Sequence, residues 1–191
     1  MVTRAQIDRA NPQVVLGMVD SWKRSAKDML SHADTYRQAV TLPGGQPWSG
    51  QTRDAAVAMA GQDHAAIEAV SEAIDAMANA AANGVTFSVM PSLNEVRAKI
   101  AAALSKGFEV NDDLSVTDLE QDDDDDDAPD PRRVQEGETF EREIQAGAQK
   151  WWDADQAVAT QIGKDQREVA AKFSHGHVSE TGGNYDDRCK G

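Results

Sequence analysis

Cysteine is nearly missing: Cys189 is the only one in 191 residues, so no disulfide can close within the chain and none holds it together. Aromatic residues make up 5%, and 30 of the apolar residues are alanine. A sheet sandwich would be hard to fill from that supply, whereas alanine-rich helices approach closely and pack on small side chains. No apolar run is long enough to span a bilayer. The opening MVTRAQIDRA sets Arg4, Asp8 and Arg9 where a secretory signal needs apolar residues. Both features argue against membrane insertion and the general secretory route. Basic residues are the last shortage: 19 Lys and Arg stand against 33 Asp and Glu, a net charge of −14. A polyanion partner needs a basic face and counterion release, so nucleic acid is not an expected ligand.

The acidity is concentrated. Glu109 to Asp130 contains 12 carboxylates and no Lys or Arg, leaving 21 acidic residues against 19 basic ones in the rest of the chain. The unbroken run Asp122 to Asp127, followed by Pro129 and Pro131, repels itself and opposes packing, so a disordered acidic loop is expected over residues 109–130. A calcium loop is the alternative. It needs spaced ligands, a Gly at its bend and a closing Glu, and the aspartate run has neither of these last two.

The remainder reads as an all-α bundle forming one helical domain, residues 1–173, with a flexible tail over 174–191. Thr3-Arg4-Ala5-Gln6 fits a capping box for a short helix over residues 3–10, and Asn11-Pro12 restarts the chain. Val15, Val19, Trp22, Ala26, Met29, Ala33, Tyr36 and Val40 then alternate spacings of four and three, the seam of a helix lying along a partner. Leu42-Pro43-Gly44-Gly45-Gln46-Pro47 stops it. Ala56, Ala60, Asp63, Ile67, Val70, Ile74, Met77 and Ala81 repeat the seam on a second, antiparallel helix. Together these make a helical hairpin over residues 12–83, ending at Asn83-Gly84. Ser92-Leu93-Asn94-Glu95 reads as a second capping box, opening a third helix over 92–106. Phe108 to Val116 fits a short extended or hairpin segment. Asp130-Pro131 begins a returning helix over 131–173, with Phe140, Ile144, Trp151, Asp155, Val158, Ile162, Val169 and Phe173 near one stripe and Glu136-Gly137 as a point that would delay its start.

Trp48-Ser49-Gly50 lies in the turn between the two long helices. In that position the chain resembles the WxG-motif helical hairpins exported by ESX (type VII) secretion systems. Trp48 can cover the open end of the hairpin, and Gly50 lets the backbone turn closely into the second helix. A purely packing role as a turn cap is the plainer reading. The resemblance also implies an aromatic followed four residues later by an acid. The closest match is Trp151-Trp152-Asp153-Ala154-Asp155, with Trp151 in the place of the family's Tyr and Asp155 as the acid. One helical turn separates them, so they share a face that could meet a receptor. The alternative is a core Trp151 and a partly buried Asp155 paired with a Lys or Arg.

With its third helix, acidic segment and returning helix, residues 3–172 are similar to the longer EspB-like proteins and to the helical modules ahead of mycobacterial hydrolase or toxin domains. The resemblance implies a non-enzymatic protein, exported or exportable to the cell envelope or beyond by a signal-peptide-independent route. Its partner would be a secretion-machinery component or a helical protein, and a homo-oligomer is possible. A cytoplasmic scaffold or helper for a separate effector is the alternative. No hydrolase elbow, phosphate-cradling Gly loop or H-E-x-x-H is present, and no cofactor is implied. His32 and His64 fall on the hairpin helices as exposed or hydrogen-bonded residues, while His175 and His177 would make at most a weak metal site.

Overall fold

The computed structural model describes residues 2–119 and 130–176, with side chains through Ser174. The fold is an all-α bundle, with five α-helices among the described residues: α1 (Arg4–Arg9), α2 (Gln13–Thr41), α3 (Gln51–Gly84), α4 (Met90–Ser105) and α5 (Pro131–Gly176). The strands β1 (Phe108–Val110) and β2 (Val116–Asp118) pair antiparallel, with Glu109 opposite Thr117. Among the described residues no helix is long and apolar enough to cross a membrane. The chain forms two compact units, each discontinuous in sequence: Met1–Val19 with Asn79–Ile162, and Asp20–Ala78 with Gly163–Gly191.

In the first unit, α1 is secured at both ends. Thr3 and Gln6 form the capping box, the Thr3 hydroxyl accepting from the Gln6 N–H and the Gln6 side chain accepting from the Thr3 N–H at 2.9 Å. A helix this short leaves most of its terminal carbonyls without internal partners. Arg97 of α4 supplies them: its Nη2 donates to the carbonyls of Ile7 (2.7 Å), Ala10 (2.9 Å) and Asp8 (3.1 Å). Beneath it Ile7 is fully buried, in a core with Leu93, Val96, Phe108, Ile144 and Trp151.

Helices α4 and α5 run antiparallel, as the ion pairs Glu95–Lys150, Lys99–Glu143 and Lys106–Glu136 show by their opposed numbering. Asp130 caps α5, its carboxylate accepting from the Arg132 N–H at 2.9 Å. Gly137 does not delay the helix. It lies beneath Phe108, where a Cβ would come within 3.2 Å of the ring.

The expected break at Asn83-Gly84 does not occur. The chain passes from α3 to α4 through one wide π-helical turn, Val85–Val89, in which the Met90 N–H donates to the Val85 carbonyl five residues back. Pro91 follows at once and lacks an N–H, and a widened turn is one way a helix carries a proline without stopping. Gly84 serves packing instead of termination: a Cβ there would lie 2.5 Å from a Val158 methyl. The Ser92 to Glu95 pattern likewise caps nothing, because Ser92 is buried within α4 and Glu95 pairs with Lys150.

The disordered acidic loop expected from residue 109 does not begin before Leu119: the hairpin expected over Phe108 to Val116 forms as β1 and β2, and its carboxylates hold structure. Asp112 accepts from the Arg4 N–H with its carbonyl and from the Ala5 N–H with its side chain, both at 2.9 Å, tying the hairpin to α1. Asp113 accepts from the Ser115 hydroxyl at 2.6 Å and from its N–H at 3.0 Å. Those two bonds hold its carboxyl below the ordinary aspartate range. Asp118 accepts from Nε and Nη2 of Arg133, whose Nη1 donates to the Lys106 carbonyl and whose guanidinium lies over the Phe108 ring at 4.2 Å. Phe108, Val110 and Leu114 are buried, and that burial offsets the left-handed backbone that Leu114 adopts at φ 69°. The aspartate run 122–127, the candidate calcium loop and the tail from residue 177, with Cys189, lie outside the described residues.

The second unit pairs α2 with α3. Asp34 meets His64 and Ala26 meets Ser71, so the two helices are antiparallel. The seam is alanine-lined: Ala26, Ala33, Ala60 and Ala78 are buried alongside Val70, Ser71 and Met77. Asp63, the polar residue in the predicted seam, is exposed.

Candidate functional site

Two places carry the residues singled out in the sequence, one in each unit. The first is the corner between α2 and α3. Pro43–Gly45 makes a single 3-10 turn, with Gly44 and Gly45 both at positive φ, and the chain then runs without regular structure to Gly50. Gly50 has φ 112°, where an L side chain is strained, and its carbonyl accepts the Asp54 N–H as the first bond of α3. A Cβ there would touch nothing within 4 Å, so backbone conformation alone calls for glycine. Two residues earlier, the Trp48 indole N–H donates to the Val40 carbonyl at 2.9 Å. That bond satisfies one of the carbonyls orphaned at the end of α2. The ring remains 36% exposed, and Leu42, in the same connection, is exposed too. Trp48 is therefore both a cap for α2 and an apolar surface at the corner.

The second place is an open groove of about 500 Å³ in the first unit. One wall is α1 and the Asn11-Pro12 corner leading into Val15; the other is Trp151, Trp152 and Asp155 of α5. Trp151 is a core residue, 6% exposed, and its indole N–H is buried without a partner. Leaving such a donor unpaired costs about 1–3 kcal/mol. Trp152 meets it edge to face, ring centroids 6.4 Å apart, and is half-buried on the groove. Asp155 is half-buried as well, and its carboxylate makes no hydrogen bond or ion pair among the described residues. The structure thus brings Trp151 and Asp155 to one groove, with Trp151 in the core, but gives Asp155 no Lys or Arg partner among the described residues. Trp152 and Arg9, which complete the groove, were not marked in the sequence. Arg9 lies 146 positions from Asp155 and no spacing rule links them; Trp152 is adjacent to a marked residue and was legible.

No family model, no curated protein and no solved structure matches the chain.

His32 and His64 make local contacts. His32 Nδ1 lies 2.7 Å from the Asp28 carbonyl, and His64 Nε2 lies 2.8 Å from the Asp34 carboxylate, joining α3 to α2. Among the described residues no cluster of three His, Cys, Asp or Glu could hold a metal ion. His177 and the His175 side chain lie outside that description.

Proposed function

We propose that the protein is a non-enzymatic helical protein associated with type VII (ESX) secretion, exported or exportable, that works by binding another protein. The observation that carries this reading is the corner: a tryptophan and a glycine two residues apart, at the bend between two long antiparallel helices, each with a specific backbone role. Chance W-x-G triplets are common, but a glycine held at φ 112° and an indole pinned to the preceding helix make this one a built feature. The partner under this reading is a component of the secretion machinery or a helical subunit that meets the exposed Trp48 ring and the groove around Trp151 and Asp155.

The test is the distribution of the protein between culture filtrate and lysate, in cells with and without an active ESX system. ESX-dependent appearance in the filtrate, reduced by Trp48→Ala, is the expected result. Retention in the cytoplasm in both hosts overturns it, and a stoichiometric cytosolic partner would then identify a non-exported helper.

A further inference from the structure

We propose that the groove beneath α1 receives a cationic side chain, arginine or lysine, presented by a partner protein. The proposal rests on the reading that this protein works by binding, and it names the chemistry bound at that place.

Three observations carry it. First, the other half-buried acids of α5 are occupied: Glu136 pairs with Lys106, Glu141 accepts from the Val116 N–H, and Asp165 has an interaction of its own, while Glu138 and Glu168 are exposed to solvent. Asp155 is half-buried and has no such partner among the described residues. A partly desolvated carboxylate gains most from a charge-assisted bond brought from outside. Second, Trp152 and Trp151 lie on the same wall, one turn of helix or less from Asp155. An aromatic face beside a carboxylate suits a guanidinium or ammonium group, which gains from the ring quadrupole and the charge together. Third, the full chain carries a net charge of −14, most of it from Glu109 to Asp130, so basic partners are attracted to the chain as a whole while Asp155 supplies the local charge at the groove.

Arg9, on the opposite wall, is the competing cation. It is exposed and unpaired among the described residues, so it is well hydrated and gains little from an intramolecular pair with Asp155. Its place on the rim predicts that it repels the incoming group and that its removal strengthens binding.

The experiment follows the four indole N–H resonances of the full-length protein labelled with 15N, assigned through single Trp→Phe variants. The probes are the capped pentapeptides Gly-Gly-Arg-Gly-Gly, Gly-Gly-Lys-Gly-Gly and Gly-Gly-Glu-Gly-Gly. The Arg and Lys peptides should move the Trp152 resonance saturably and leave Trp48 in place. Asp155→Asn should weaken that response at least tenfold with the thermal midpoint unchanged, and Arg9→Ala should strengthen it. A linear, unsaturating response, an equal response in Asp155→Asn, or a stronger response to the Glu peptide overturns the proposal; the last would make the groove an anion site governed by Arg9. If Asp155→Asn alters folding, the sign of the Arg9→Ala effect decides. A saturable Arg response without ESX-dependent export removes the secretion reading alone, and export without that response removes this proposal alone.

Discussion

The two compact units are held by different means. The first buries every one of the largest fully enclosed side chains, Phe108, Ile7, Leu93, Ile144, Val85, Val89 and Val96, and adds arginines that bind backbone carbonyls. The second closes α2 on α3 with alanines and a serine hydroxyl that donates to the Ala26 carbonyl at 3.1 Å. Each alanine buries little apolar area, so the second unit gains stability from many shallow contacts and the first from a few deep ones. Damage should therefore be concentrated in one unit and diffuse in the other.

The largest expected effect is Ile144→Ala, which opens a cavity in the first unit's core and should cost about 3–4 kcal/mol in urea unfolding. Hydrogen exchange should locate the loss in α4, α5 and the hairpin. A cost below about 1 kcal/mol would end the contrast. Next is Arg97→Ala, which leaves the carbonyls of Ile7, Asp8 and Ala10 without their donor. About 2 kcal/mol is expected, with early exchange in α1, and Arg97→Lys should restore only part because an ammonium cannot span the same set.

A pair of glycine substitutions sharpens the comparison by opposite signs. Gly84→Ala sets a methyl against Val158 and should destabilise by about 1–3 kcal/mol. Gly61→Ala, on α3 in the second unit with open space at its Cβ, should stabilise by about 0.5–1 kcal/mol. Equal signs in thermal melts would show that Gly84 is not a close-approach residue.

Acidification is the smallest effect. Lys150 and Lys99 hold Glu95 and Glu143 below the ordinary glutamate value of 4.5, first by hydrogen bonding and then by charge. Because the folded values are lowered, the pairs contribute fully above 4.5, and their contribution falls away as pH drops through the lowered values. A Lys99→Met, Lys150→Met variant should show a shallower loss of thermal midpoint between pH 6 and pH 3 than the parent does. Parallel curves would leave the pairs without a role.

The heptad seams of α2 and α3, the capping box of α1, the Asp130 cap and the Trp48 corner were legible because each is local: a spacing, a dipeptide or a four-residue pattern. Most of what was misread depends on distant contacts; the Asp113–Ser115 turn is local. Gly84 looks like a stop until Val158 is seen beside it, 74 positions on. Asp112, Asp113 and Asp118 look like part of a solvated acidic run until α1, Ser115 and Arg133 supply their partners. Charge density alone described residues 109–119 poorly because the alternation of Phe108, Val110 and Leu114 had already committed that stretch to the core. The candidate groove was half-legible for the same reason: its α5 wall is a contiguous peptide, while its other wall comes from the far end of the chain.

The indole at the α2–α3 corner has one further consequence. Its only polar atom is engaged inward, so what it offers outward is a hydrocarbon plate already fixed in orientation. A binder would not have to freeze that side chain on arrival, and little of the contact's gain would be lost to ordering. Recognition there should be fast, shape-led and indifferent to salt, unlike an encounter that depends on the Asp155 carboxylate.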